Sequence, residues 1–284
     1  MPTTKRSRPD PKDSEPAPFR PPTKAQVKFL MAPSRAYFRP QFFGLEHVDP
    51  ARPALLVGNH TLIGVLDAPL FVAQIYEERG VWVRALGDRF HFAVPGWRDM
   101  MKRIGVVVGS PQTCSALMRA GEHVLVFPGG GREVAKRKGE AYELIWKERV
   151  GFARMAIEHG YPILPFAAVG AEECFDIVWD ADDVLESSVG GILKKTPLYD
   201  AMRGGDALMP FVRGWKGTPL PKPERFYFAV GEPIPTESYG RVPSGIEALR
   251  DLTRQRVEAL IADLLARRRE DSKPGKRRRP RSAR

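Results

Sequence analysis

The chain reads as an α/β protein, with a mostly parallel central sheet, helices on both faces and disordered basic termini. Short apolar runs rich in Val and Leu recur along it, each bounded by Gly, Pro, Asn or Asp. Helical stretches separate successive runs, and that alternation is what builds parallel strands covered on both faces. The 284 residues are 43% hydrophobic, enough to fill one core. Ordinary domain sizes then allow a single folded unit of about 230 to 240 residues.

Residues 1–23 are polar and proline-rich, which predicts a disordered tail, and the folded domain is expected over 24–266. From Lys24 to Phe38, apolar residues mix with Lys24, Lys28 and Arg35, and Pro33 interrupts them; this predicts a short, kinked amphipathic helix. Such a helix packs on the domain or lies in a lipid interface with its cations at the headgroups. Phe42 to Val48 and Leu55 to Val57 predict strands. Asp67 then caps a helix that carries Pro69 in its first turn and runs to about Arg79. Val81 to Ala85 and Ile104 to Val108 are further strands, separated by a helical stretch after Pro95-Gly96-Trp97.

Ser110 to Ala120 predicts a helix and His123 to Phe127 a strand. Arg132 to Glu140 reads as a charged linker before a helix from about Lys147 to His159, and Tyr161 to Val169 is another strand. Residues 180–220 have no clear period and are expected to form an inserted helical lid. Phe226 to Val230 is a late strand. Ser244 to Glu247 reads as a capping box opening a long helix whose last turn carries Arg267 to Arg269.

The net charge of +11 is concentrated at the ends. Residues 267–284 hold ten Lys or Arg against Glu270 and Asp271, so the folded middle is close to neutral. Each basic residue near an anionic leaflet contributes about 1 kcal/mol. The expected partner is therefore an anionic membrane surface, met by the basic tail and the helix at 24–38. A nucleic-acid partner would rest on the tail alone, with no accompanying fold signature, and is not favoured. Cys114 and Cys174 offer neither a disulfide framework nor metal-ligand spacing, which fits a reducing compartment. No signal-peptide region and no spanning apolar segment are apparent, so a peripheral or monotopic place on the cytoplasmic face of a membrane is expected.

Two strand ends carry the candidate chemistry. In the first, Ala54 to Val57 run into Gly58-Asn59-His60, delivering one imidazole to the mouth of the sheet. His60 suits a general base for an acceptor hydroxyl, a role worth about 10²- to 10⁴-fold in rate; the alternative is a satisfied core histidine. Asp67 follows seven residues later. A continuous helix would hold the two about 10 Å apart, so contact needs the segment between them to fold back at Gly64. Asp67 then either orients His60 or only caps the next helix. In the second end, Leu125 to Phe127 run into Pro128, Gly129, Gly130, Gly131 and Arg132. Bare amides and a guanidinium there suit an anion, and a tight turn with a solvated Arg is the plainer alternative. Glu133 either orients Arg132 or an acceptor hydroxyl, or sits exposed in the linker.

These blocks, taken in order, resemble the glycerolipid acyltransferase superfamily, the lysophospholipid acyltransferase-like proteins that include the diacylglycerol acyltransferase type 2 branch. Gly58-Asn59-His60 with Asp67, Phe90 to Gly109, Phe127 to Arg132, and Tyr161 to Pro165 resemble its four blocks. Phe38-Arg39-Pro40 and Gly44-Leu45-Glu46 resemble its lead-in. The resemblance implies a glycerolipid acyltransferase-like fold and direct transfer from acyl-coenzyme A or acyl carrier protein to a glycerolipid hydroxyl. It further implies His60 as base, Asp67 as its orienter, and Asn59, Gly129 to Gly131, Arg132 and Glu133 as substrate contacts. No metal or cofactor is expected beyond the acyl donor.

This sequence departs from the family pattern at three places. Six residues rather than four separate His60 from Asp67, so Val65 stands at the usual carboxylate position. Gly129 replaces a Glu, and Val107 to Pro111 lack an Arg associated with acceptor phosphate. Losing that charge-assisted contact favours a neutral alcohol acceptor. Lys147 to Phe152 resemble the neutral-lipid branch as well. The alternatives are a lysophospholipid (1-acylglycerol-3-phosphate) acyltransferase, an acyl-coenzyme A thioesterase, or a non-catalytic lipid-binding protein.

Overall fold

A computed structural model describes residues 19–272, and the expectations for 1–18 and 273–284 lie outside the described residues. Structure begins ahead of the expected boundary at Lys24. The Phe19 ring lies 5.8 Å from that of Trp82 and 4.6 Å from the Arg84 guanidinium, so an aromatic anchor holds 19–23 to the domain. Helix α1 (Lys24–Phe38) opens on a reciprocal cap between Thr23 and Gln26 and contains Pro33. Strand β1 (Gln41–Phe43) stops early, and a 3-10 turn (Leu45–His47) stands where a strand to Val48 was expected. Gly44 forces the break: it holds φ at +69°, and a Cβ there would lie 2.0 Å from the Val230 carbonyl oxygen.

The alternation predicted from sequence follows. It runs through β2 (Leu55–Gly58), α2 (Ala68–Arg79), β3 (Arg84–Gly87), α3 (Arg89–Ala93), α4 (Trp97–Arg103), β4 (Val107–Val108), α5 (Pro111–Arg119) and β5 (Val124–Val126). Then come α6 (Gly131–Val134), α7 (Gly151–His159) and β6 (Ile163–Val169). The 180–220 region is only partly helical. β7 (Asp176–Trp179) and β8 (Phe211–Arg213) form an antiparallel pair around α8 (Ala181–Glu186), α9 (Ser188–Leu193) and α10 (Pro197–Ala201). β9 (Tyr227–Val230) and α11 (Pro243–Asp271) finish the chain.

The expected capping box at Ser244 does not form. α11 starts on Val242 with no side-chain cap, because Pro243 at the first position already fixes a helical φ. The helix also runs past the boundary drawn at 267. Arg267 lies over the Phe43 ring at 4.5 Å, and Arg268 pairs with Glu173 and Glu224 at 3.0 and 2.8 Å. The first residues of the expected tail are therefore part of the fold.

Seven strands form one sheet in the order β1-β9-β6-β2-β5-β3-β4. β6, β2, β5, β3 and β4 are mutually parallel, while β9 runs antiparallel to β6 and carries β1 beside it. Alternate residues of each strand feed opposite cores. Leu55 and Val57 join α5, α7 and α11 on one face; Leu56 joins α1 and α2 on the other. The central strands β2 and β6 are buried throughout, as their continuous apolar runs require. Their carboxyl ends, and that of β5, open on a common edge where loops collect.

Candidate active site

β2 and β5 lie side by side and parallel, Leu55 level with Val124 and Val57 with Val126. The residues leaving each strand therefore meet at one end of the sheet. His60 stacks on Phe127, the first residue beyond β5, with ring centroids 3.9 Å apart and planes 13° from parallel. Over the imidazole the chain turns back at Ile63 and Gly64, both with positive φ. A Cβ at Gly64 would sit 2.3 Å from His60 Cε1, so glycine is needed for this close approach as well as for the turn. The fold-back that a contact between His60 and Asp67 would require is present.

Stacked between Phe127 and this loop, the imidazole loses hydration. Burial first, then the nearby Lys136 ammonium and His91, pull its pKa down to about 3. At neutral pH it is an uncharged ring able to accept a proton. Its Nδ1 is sealed from solvent and has no hydrogen-bond partner among the described residues.

Asp67 does not fill that vacancy. Its Oδ1 accepts from the Ala68 amide at 2.8 Å, and the residue is the cap of α2. Burial raises its pKa, and its charge is felt at Glu172 and Cys174 rather than at His60. No hydrogen bond joins Asp67 to His60, so of the two sequence readings the cap is the one present.

Glu133 occupies a different place from the exposed linker position expected. It is fully buried, and its two oxygens accept from the His60 amide at 3.0 Å and the Ile145 amide at 2.9 Å. One carboxylate thus clasps the residue that bears the base. Gly129 makes room for it: a Cβ there would lie 2.2 Å from the Glu133 carboxyl carbon.

Asn59 is likewise turned inward. Its amide nitrogen donates to the Ala168 carbonyl and its oxygen accepts from the Ala168 amide, both at 2.9 Å, extending the β2–β6 ladder by one side chain. It holds the strand ends together and has no free polar atom for a substrate.

Arg132 is buried as well. It makes a bidentate pair with Glu140, donates to the Ala135 carbonyl at 3.2 Å and lies 3.7 Å from Asp206. An anionic substrate would have to displace these carboxylates. Gly130 donates to Phe127, while the amides of Gly129 and Gly131 donate to no backbone carbonyl among the described residues. The Arg149 guanidinium binds the Pro128 and Gly129 carbonyls, both at 2.6 Å, and fixes the turn.

The stretch read as a charged linker is therefore an inward-facing network, and it includes groups that sequence reasoning missed. Lys136 is buried, donates to the Glu143 carbonyl at 3.1 Å and lies 3.6 Å from Glu172 Oε1, an ion pair too long to be a hydrogen bond. Burial pushes Glu172 up to about 7 against the pull of Lys136. Glu173 beside it accepts from Tyr142 and pairs with Arg268. Glu172 and Glu173 follow β6 closely, so the strand-end rule that found His60 also reaches them. Lys136, inside a run of charges, gives no local signal of burial. Among the described residues no cluster of His, Cys, Asp or Glu is suited to a metal, and no helix is long and apolar enough to cross a membrane.

Comparison with known proteins agrees with this geometry. Residues 39–169 match the Acyltransferase family model. The chain is 31% identical over 247 residues to phytyl ester synthase 1, chloroplastic, of Arabidopsis thaliana, covering 80% of this chain and 34% of that protein. It is 30% identical over 218 residues to the Homo sapiens DGAT1/2-independent enzyme synthesizing storage lipids, covering 77% of this chain and 59% of that one. The chain thus spans only part of the length of these relatives. The crystal structure of the 1-acyl-sn-glycerophosphate (LPA) acyltransferase, PlsC, from Thermotoga maritima shares the fold, with TM-score 0.51 and 15% identity, covering 84% of this chain and 79% of that one.

Proposed function

We propose, from the premise that this chain belongs to the acyltransferase family through residues 39–169, that it moves a fatty acyl group from acyl-coenzyme A or acyl carrier protein to the hydroxyl of a neutral lipid alcohol. The observation that carries this reading is the stacking of His60 on Phe127, which brings the ends of β2 and β5 to one mouth. An uncharged imidazole there takes the acceptor proton through Nε2 as the oxygen attacks the thioester carbonyl. The tetrahedral intermediate then expels the thiolate, and the imidazolium returns the proton to it. The Gly129 and Gly131 amides are the candidate donors to the oxyanion.

Glu133 and Asn59 act as positioning residues, through the His60 amide and the β6 backbone. Asp67 holds the returning loop. Covalent catalysis by cysteine is disfavoured: burial raises Cys114 to about 11 and Cys174 to about 12, away from the thiolate a nucleophile needs. No cofactor beyond the acyl donor enters this scheme.

A neutral acceptor is favoured because Arg132, the guanidinium beside the glycine turn, is already taken by Glu140 and Asp206. The relatives named for phytyl esters and storage lipids point the same way. Peripheral attachment to an anionic membrane through the basic C-terminal residues completes the reading.

Incubating the full chain with labelled acyl-coenzyme A, with and without diacylglycerol, monoacylglycerol, phytol or lysophosphatidic acid, tests it. Esters of the neutral alcohols support it. Ester formation with lysophosphatidic acid alone would make the protein a phospholipid enzyme. Free fatty acid alone would make it a thioesterase, and no turnover a binding protein.

A further inference from the structure

The four most exposed large apolar side chains beyond α1 are not scattered, and Trp179 stands with them. Phe90 and Ile192 are 70% exposed, Val189 67% and Phe211 60%, and Trp179, whose ring lies beside that of Phe211, is 57% exposed. α3, which bears Phe90, begins two residues past the carboxyl end of β3, and β7, which ends in Trp179, follows the carboxyl end of β6. β8 pairs with β7, and the Trp179 and Phe211 rings lie 5.8 Å apart. An ion pair of 2.6 Å from Arg203 to Asp88 ties the segment after α10 to the start of α3. The Lys138 amide donates to Asp180 at 3.0 Å, and its ammonium pairs with Asp183 at 2.7 Å, tying α8 to the loop beyond α6. These side chains therefore ring the mouth that holds His60.

We infer that this rim, the carboxyl-end face of the sheet, is the surface that docks on an anionic lipid layer, with Phe90, Ile192, Val189, Trp179 and Phe211 entering its apolar part. Soluble proteins seldom gather large apolar side chains around one opening without an occupant. Cations interleave with them: Arg89, Lys194 and Lys195 are exposed and form no ion pair among the described residues. The chain outside the structure adds to this charge. α11 ends at Asp271, which accepts from Gln41, Arg225 and Tyr227, and Tyr227 is level with Val169 at the carboxyl end of β6. Residues 273–284, with seven Lys or Arg and no Asp or Glu, are thus attached at this same end. An apolar rim with surrounding cations fits anionic lipid better than it fits a protein partner.

This placement differs from docking through α1. Phe29 and Leu30 are exposed there too, but Lys24 binds the Glu77 carbonyl near the far end of α2, so the first half of α1 lies toward the opposite end of the sheet. A lipid layer at the rim would deliver a dissolved acceptor directly to His60. The inference rests on the lipid-acceptor reading above, in the sense that the rim matters for catalysis only if the acceptor comes from lipid.

Flotation of the full chain with vesicles of phosphatidylcholine and phosphatidylserine tests the docking without needing turnover. Substituting Phe90→Asp, Ile192→Asp and Phe211→Asp together should lower the vesicle partition coefficient by about 100-fold or more, and Phe29→Asp with Leu30→Asp should change it by less than about threefold. The reverse ranking, or no loss in the rim variant, overturns the inference. Should the triple variant fail to fold, Trp179 reports instead. The emission difference between the native chain and Trp179→Phe should shift to the blue on adding vesicles, and an unshifted difference overturns the inference. Transfer from a short-chain acyl-coenzyme A to a monodisperse alcohol should be unchanged in the folded rim variant. Absence of that transfer in the native chain would refute the proposed reaction and leave the flotation result to be judged alone.

Discussion

The two strand ends at the mouth contribute in opposite ways. β2 sends out an imidazole stacked on Phe127, whereas the segment after β5 turns its charges inward and supports that side chain from behind. Among the described residues no hydrogen bond reaches the Nδ1 of the His60 ring, while Arg132, Glu133 and Lys136 are all buried and engaged. The difference teaches that a glycine turn followed by charge need not be a cradle for substrate. Here Gly129 is small because the Glu133 carboxylate occupies the space beside it, and Glu133 is there to fix the backbone at His60.

Breaking that support should have the largest effect. Glu133→Ala leaves the His60 and Ile145 amides unpaired in a dry interior beside Lys136, and should cost about 2–5 kcal/mol of stability. Chemical denaturation measures this, and a loss below about 0.5 kcal/mol would place the support elsewhere. Next comes Gly129→Ala, whose added methyl meets the same carboxylate; about 1–3 kcal/mol is expected from overpacking. Combining it with Glu133→Ala should recover part of the loss, because the obstacle is then gone. Additive losses would show that the two residues do not share this space.

A smaller effect separates His60 after β2 from Glu172 after β6 by pH. The folded pKa of His60, about 3, lies below its ordinary 6.5, so the unfolded chain binds the proton first. Its contribution to stability is lost as pH falls from 6.5 toward 3. Glu172, held at about 7 against an ordinary 4.5, has the opposite sense. Its contribution is present below 4.5 and lost as pH rises through about 7. The loss of stability between about pH 4.5 and 7 that this group causes should therefore be absent in Glu172→Gln, read from denaturation midpoints across that range, and its persistence would assign it to another group.

The smallest effect is expected at Asp67. Asn retains the capping oxygen and removes only the charge, so Asp67→Asn should lower kcat by less than about tenfold. A loss of about 10²-fold or more would mean that the carboxylate reaches the imidazole during turnover.

The apolar runs of β2 and β6 were legible because a fully buried strand has to be apolar along its whole length. Gly64 was legible as a place where the chain could fold back, but a contact between His60 and Asp67 is not what the turn serves. Residues 132–140 were not legible. A charge that pairs inside a fold and one that faces water leave the same letters in the sequence, and only the packing of Glu140, Asp206 and Glu172 tells them apart. The short helices of 181–201 offer too few turns for a period to show. Ser244 looked like a cap because its spacing to Glu247 is right, but Pro243 one residue earlier starts the helix without one.

The most direct measurement is the initial rate of ester formation from acyl-coenzyme A and diacylglycerol by a folded His60→Gln variant, set against the native chain at pH 7. With no side chain able to take the acceptor proton, the rate should fall by about 10²- to 10⁴-fold while the thermal midpoint stays near that of the native protein. A rate within about threefold of native, from a variant of unchanged stability, would contradict the role given to the imidazole at the meeting of β2 and β5.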